Sequence, residues 1–248
     1  MELSLARMVA HRASISRRLA AEYISEDRVE VDGVICSSIA EKVSEDSLIK
    51  LNGELLIAAA KVKRQVLLYH KPVGEVCSSV AHGKPHVFGA LPELDDGKWI
   101  MVGRLDINTS GLLLFTTDGE LAHRLMHPKY KLDREYLARV KGRPQHNFDA
   151  ASMAMIKRGA KLDGKQASFK DIMPLHRNSK SSNRYFYLVV QEGRNRLVRR
   201  LWEHFGYSVS RLSRVRFANI SMPEELEAGD YVMLKKQDVR NLVACVDL

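Results

Sequence analysis

At 248 residues, 45% hydrophobic and 28% charged, the chain is long enough to bury a sizeable core and has the balance of a folded protein rather than a disordered one. Its 39 Lys and Arg against 30 Asp and Glu give a formal net charge of +9, which points to a polyanionic partner. Three widely spaced cysteines, Cys36, Cys77 and Cys245, exclude a disulfide framework and a Cys-x-x-Cys metal site. Arginines scattered through the first 30 residues leave no apolar run for a signal peptide or a membrane span, so a cytoplasmic location is expected.

The apolar spacing of Leu5, Met8 and Val9, and of Leu19, Tyr23 and Ile24, predicts two short helices over 3–9 and 16–24, with Ser14 or Ser16 capping the second. Residues 28–35 alternate polar and apolar around Asp32-Gly33, and residues 47–54 repeat the pattern up to Asn52-Gly53, predicting a small strand-and-turn unit. Charge is uneven here. Residues 1–60 hold 7 Lys and Arg against 10 Asp and Glu, leaving 32 against 20 for residues 61–248. Within the small part, 3–21 has four Arg and no acid whereas 22–54 has nine acids, so one basic and one acidic face are expected, unless the run is simply a solvated helix face.

Lys61 to Gln65 read as a short basic linker. Beyond it, strand signals fall at 66–69, 111–116, 135–140, 185–191 and 208–215, and helix signals at 120–126, 150–158 and 195–205. Pro72 and Gly74 enforce a turn after the first of these strands. Many strands with few helices, joined by connections too short for regular crossovers, predict an α+β domain with a largely antiparallel or mixed sheet flanked by helices.

The most informative run is Gly103-Arg104-Leu105-Asp106-Ile107-Asn108-Thr109-Ser110-Gly111 followed by Leu112 to Gly119, which sets a carboxylate in a polar, glycine-bounded loop against an apolar strand. An Asp beside Asn, Thr and Ser is commonly a turn-former or a cap. The whole string, however, resembles the central motif of a group of ribosomal RNA pseudouridine synthases, in which the Asp of Gly-Arg-Leu-Asp is catalytic. That group takes in a small-subunit type together with types A, B, E and F of the large-subunit enzymes. Three further segments follow in that family's order. Residues 69–74 (Tyr-His-Lys-Pro-Val-Gly) look like its first motif, a structural turn at the cleft edge; residues 133–140 look like the motif whose Tyr, here Tyr136, stacks on the target base. Residues 190–201 look like its third motif, whose Arg, here Arg199, forms a salt bridge to the catalytic Asp. The helix-helix-strand arrangement over about 2–60, with Ser16-Arg17-Arg18 and residues 28–33, resembles an S4 RNA-binding domain. That likeness implies backbone contacts from Arg12, Arg17, Arg18 and Arg28.

The resemblance thus implies an S4-like domain (1–60), the linker (61–65) and a catalytic domain (66–248), with uridine isomerised to pseudouridine in ribosomal RNA. The detail of 103–128 and 192–216 looks most like the large-subunit (23S) B type, so a large-subunit stem-loop is the implied substrate. Asp106 is the expected nucleophile or base, Arg199 its ionic partner and Tyr136 the stacking residue and a candidate proton acceptor, with Arg104, Thr109, Arg194 and Arg196 as further RNA contacts. No metal or organic cofactor is expected, since the reaction is redox-neutral. The expected partner is ribosomal RNA, free or in an assembly intermediate of the ribosome, with no membrane and a monomeric enzyme.

Blander readings compete at each position. Tyr136 in an alternating strand reads as core. Residues 193–216, with seven Arg and only Glu203 as an acid, read as a solvated face, although Trp202, Phe205 and Tyr207 among the arginines suit RNA better. His123 and His127 have ligand spacing but no supporting Glu or Cys cluster, and Ser110 lacks the Gly-x-Ser-x-Gly elbow of a hydrolase. A catalytically silent RNA-binding assembly factor and a base-releasing glycosylase are the rival functions.

Overall fold

The computed structural model describes residues 2–13, 15–57, 63–80, 83–142, 148–175 and 183–248. It divides into two units, residues 1–63 and 64–248.

In the first unit, β1 (Glu2–Ser4) runs into α1 (Leu5–Arg12), followed by α2 (Arg17–Ser25), β2 (Val29–Val31), β3 (Val34–Ile35), β4 (Lys42–Ser44), β5 (Ile49–Leu51) and β6 (Glu54–Leu55). The first helix starts two residues later than its apolar spacing suggests because residues 2–4 are extended and pair with β4. Ser16 caps α2, its hydroxyl accepting the Leu19 N–H at 3.1 Å; Ser14 lies outside the described residues. Both hairpins close as their sequences predict. Asp32 and Gly33 sit at φ 49° and 87°, and Asn52 and Gly53 at 52° and 81°, the paired left-handed geometry that Asp-Gly and Asn-Gly supply at two-residue turns. The sheet order is β3-β2-β5-β6, and Val29 and Ile49 pack with Leu5, Val9, Ala20 and Ile24 into one core.

The second unit begins at the end of the expected linker. Lys61 and Val62 lie outside the described residues, but Arg64 and Gln65 are fastened to this unit rather than bridging to it. Arg64 pairs with Asp118 at 2.7 Å, and the Gln65 backbone exchanges bonds with the hydroxyls of Thr116 and Thr117. The elements are β7 (Val66–Lys71), β8 (Ile100–Val102), β9 (Ser110–Thr116), α3 (Gly119–Met126), β10 (Arg134–Lys141), α4 (Ala150–Arg158), β11 (Ala160–Leu162), β12 (Lys165–Ala167), β13 (Asp171–Leu175), β14 (Asn183–Val190), α5 (Leu197–His204), β15 (Ser208–Phe217), β16 (Ile220–Ser221), β17 (Tyr231–Met233) and α6 (Lys236–Ala244).

Among the described residues the main sheet runs β13-β14-β10-β15-β9-β7-β17, with β8 on β9 and β16 on β15. Its pairs are antiparallel except β9 with β15, a parallel contact of Ser110 with Ser213 and Gly111 with Arg214. This short junction joins two half-sheets. On one half, Ala138, Phe186, Leu188 and Leu212 pack against Ile156 of α4 and Leu201 and Trp202 of α5. On the other, Leu68, Leu112 and Leu114 pack against α3 and α6, while Leu67, Tyr69, Leu113 and Phe115 line the opposite face with Val87 and Phe88. The fold is therefore α+β with a mixed, mostly antiparallel sheet, as its pattern of elements predicts.

Candidate active site

The register aligns Lys71, Gly111, Arg214 and Tyr136 as directly opposed residues on four consecutive strands, so their side chains share one face of the sheet. Gly111 is required at this crossing. Its φ is 109°, and a Cβ there would stand 2.3 Å from the Arg214 carbonyl oxygen and 2.5 Å from its nitrogen. The close approach lets β15 abut β9 where the chain emerges from the Asp106 loop.

That loop is held by its backbone carbonyls, one after another. Thr109 N–H donates to the Asp106 carbonyl at 3.0 Å, and Gly74 N–H to that of Ile107 at 2.8 Å. The Arg199 guanidinium donates to Asn108 O at 2.8 Å, and the Lys71 ammonium to Thr109 O at 3.0 Å. On its other flank Leu105 is buried, its N–H pointing to Cys77 Sγ at 3.3 Å. The Asp106 side chain is half-buried, and among the described residues its carboxylate makes no hydrogen bond or ion pair. A rigid loop thus presents a carboxylate that the protein leaves unclaimed.

Arg199, on the first turn of α5, is only 5% exposed. The salt bridge to Asp106 implied by the sequence resemblance is not formed: its two terminal nitrogens are committed to Val209 O at 2.6 Å and Asn108 O, and its Nε is buried without a partner. The link to Asp106 is coulombic and through the loop backbone. Burial, then the neighbouring Arg196, push the Arg199 pKa down, against the pull of Asp106. Lys71, with 0% exposure, also donates to Pro72 O at 2.8 Å; burial lowers its pKa, opposed by Cys77, Glu75 and Asp106. Burial pushes the Cys77 thiol up, opposed by the Leu105 N–H and by Lys71 and Arg214. Arg214, 2% exposed, donates Nε–H to Leu112 O at 2.7 Å. Tyr136 is half-buried on β10 beside Arg214 and Leu188, its ring at the edge of the core under α5.

The remaining candidates sort differently. Arg104 is exposed beside Asp106, and Arg196 is exposed with a 3.3 Å link to Glu203. Thr109 is 2% exposed and turned inward, so its side chain offers no RNA contact; the apolar strand it leads into draws it under the surface. Arg194 is bound to Glu192 and to the carbonyls of Leu162, Lys165 and Gln166, tying the β11–β12 hairpin to the segment before α5. In the first unit Arg17 and Arg18 project from α2 into solvent. Arg12 instead donates to Ser47 O at 2.8 Å and Glu45 O at 2.5 Å, and Arg28 lies 4.0 Å over the Tyr23 ring while bonding Glu26 and Asn52. His123 and His127 stand with ring centres 5.5 Å apart, and His127 Nδ1 accepts the Lys129 N–H, which fixes that tautomer.

Comparison with known sequences places this geometry. The profile of the family described as RNA pseudouridylate synthase matches residues 65–204, from the start of β7 to the end of α5. The chain belongs to the RNA pseudouridylate synthase family. It is similar to proteins named "Ribosomal large subunit pseudouridine synthase B": 44% identical over 238 residues to that of Pseudomonas aeruginosa, covering 95% of this chain and 60% of the relative. The Pasteurella multocida protein is 43% identical over 98% of this chain and 70% of its own length, and the Escherichia coli K12 protein 40% identical over 100% and 84%. The chain thus spans about three fifths of the length of the first of these relatives. A crystal structure of a pseudouridylate synthase superposes with a TM-score of 0.65 at 26% identity, covering 97% of this chain and all of that one.

For an RNA pseudouridylate synthase, three residues that sequence reasoning misses stand at the floor of the site: Lys71, Cys77 and Arg214. Lys71 carries a usable signal, since alternation along β7 puts it on the face of Leu67 and Tyr69, where a lysine requires buried acceptors. Cys77 and Arg214 carry none, because both become neighbours of the loop only through the fold.

Proposed function

We propose that this RNA pseudouridylate synthase isomerises a specific uridine of large-subunit ribosomal RNA, with Asp106 as the nucleophile or base, Tyr136 stacking on the base and Arg199 holding the Asp106 loop. The observation that carries the reading is the unpartnered Asp106 carboxylate on a loop whose consecutive carbonyls are all anchored. A pre-aimed anion costs no reorganisation when the substrate arrives. The reaction breaks the bond from the ribose C1′ to N1, turns the uracil and joins C1′ to C5. N1 gains a proton and C5 loses one, so atoms and charge balance without a redox step. The target must leave its stack, at about a few kcal/mol, and a Tyr ring offsets part of that cost.

The first unit, read as an S4-like RNA-binding module, contributes Arg17 and Arg18 as its phosphate contacts; Arg12 and Arg28 shape that surface from within. The enzyme works as a cytoplasmic monomer on free rRNA or on an assembly intermediate. RNA carrying tritium at C5 of uridine tests the chemistry: one equivalent is expected in water per pseudouridine formed, with no free uracil. Free uracil would indicate a glycosylase, and no release a silent binding factor. Mapping pseudouridines in rRNA from cells lacking the protein identifies the position. Activity is expected to survive dialysis against EDTA once the RNA is refolded with magnesium, and restoration by zinc alone would contradict this.

A further inference from the structure

Among the described residues, α4 and α5 pack on one face of the half-sheet β13-β14-β10-β15. Ile172, Phe186, Leu188, Ala138 and Leu212 face α4 and α5, so the alternate residues point the other way. They include two neighbouring cross-strand rows, Met173, Tyr187, Leu137 and Ser213, then Leu175, Tyr185, Arg139 and Arg211, beside a third of Asp171, Val189, Glu135 and Arg216 in which Val189 is buried. Met173 is 44% exposed, Arg211 is exposed and Tyr187 and Leu137 are half-buried; none of these joins a hydrophobic cluster among the described residues. At strand spacing, the platform is about 15 Å wide and its rows are about 7 Å apart.

Arg139 and Arg211 are directly opposite one another in the β10–β15 register. Like charges so placed repel and destabilise a sheet. Among the described residues neither forms an ion pair, and the relief the protein offers is an Arg139 Nε–H bond to the Ser210 hydroxyl at 2.8 Å. The acids on these four strands are already spent, Glu135 on Arg216 at 2.7 Å and Asp171 on Lys157 at 2.7 Å. Two unneutralised guanidinium groups one row from an accessible tyrosine ring call for a ligand with both anions and flat π-faces.

We infer that this open face is a second RNA-binding surface, which holds a single-stranded segment of the rRNA away from the Asp106 cleft, with a phosphate between Arg139 and Arg211 and a base on Tyr187. The inference rests on the reading of the chain as an rRNA enzyme. It adds affinity for long RNA without touching the chemistry, because Tyr136, Arg214 and the Asp106 loop lie on the other face.

The test compares protein-free large-subunit rRNA with a short stem-loop bearing the mapped uridine, using the full chain. Arg139→Gln with Arg211→Gln is expected to weaken binding to the long rRNA about tenfold and to lower the slope of log affinity against log salt by about 1.4, two contacts at about 0.7 each. Turnover on the stem-loop should be unchanged. Tyr187→Ser should weaken long-RNA binding whereas Tyr187→Phe, which keeps the ring, should not. The inference is overturned if long-RNA affinity and slope are unchanged, or if the stem-loop loses as much as the long RNA. It is equally overturned if only binding to protein-containing ribosomal particles falls, which would make the face a dock for a ribosomal protein. Absence of tritium release by the unaltered enzyme would overturn the proposed chemistry instead, and the binding series would still judge this face.

Discussion

Replacing Asp106 by Asn keeps the size and hydrogen-bonding shape of the side chain and removes its charge. Because the loop is anchored through its backbone, Asp106→Asn should leave the fold and RNA affinity nearly intact, within about tenfold or about 1.4 kcal/mol, while tritium release falls by several orders of magnitude. Near-normal release would reduce Asp106 to a turn residue. Lys71→Met is the complementary case. It fills nearly the same volume but strips the donor from the buried Thr109 O and the half-buried Pro72 O, so a loss of about 1–3 kcal/mol in urea unfolding is expected. If Asp106 is the reacting group proposed, single-turnover rate should fall with it, since the same bond fixes the end of the Asp106 loop. A Lys71→Met enzyme that is destabilised yet turns over normally would separate stability from positioning.

At the scale of elements, the β9–β15 crossing is the least tolerant place in the sheet. Gly111→Ala forces a Cβ into the Arg214 backbone at a left-handed φ, with an expected loss of about 3 kcal/mol, read as a drop of about 6–12 °C in the thermal midpoint. A midpoint within about 2 °C of the parent would show that the two half-sheets slide apart at little cost. The same elements explain what is legible in advance. The long strands β7, β9, β10, β14 and β15 and helices α3, α4 and α5 follow apolar periodicity, and the Asp-Gly and Asn-Gly hairpins follow turn chemistry. Short strands such as β11, β12 and β17 have too few residues to show a period, and Pro174 argues against β13, which tolerates it as an edge strand. Helix α6 is missed by the sequence reading, although Val239, Leu242 and Val243 have helical spacing on its buried side. Asp106, Tyr136 and Arg199 stand out only as members of a motif; by periodicity Arg199 is another surface arginine, and only the fold gives its guanidinium Asn108 O and Val209 O to bond.

For the whole molecule, the proposed function assigns recognition to the first unit and chemistry to the second. Removing residues 1–63 should leave turnover intact at saturating RNA but lower the salt slope of binding by about 1.4–1.8, the contribution of Arg17 and Arg18, rather than twice that, because Arg12 and Arg28 are occupied within the unit. Binding measured across a salt series decides between these values. The anchoring of the Asp106 loop also has a timetable. Arg199 reaches Asn108 across 91 residues, and Arg214 reaches Leu112 across 102. During synthesis at about 5–20 residues per second, Asp106 therefore leaves the ribosome roughly 5–20 s before the arginines that will hold its loop. A chain interrupted in that interval carries the first unit and the Asp106 carboxylate but lacks Arg199 and Arg214, which anchor the loop and the start of β9. On the proposed reading such a fragment should bind RNA through Arg17 and Arg18 yet release no tritium from it.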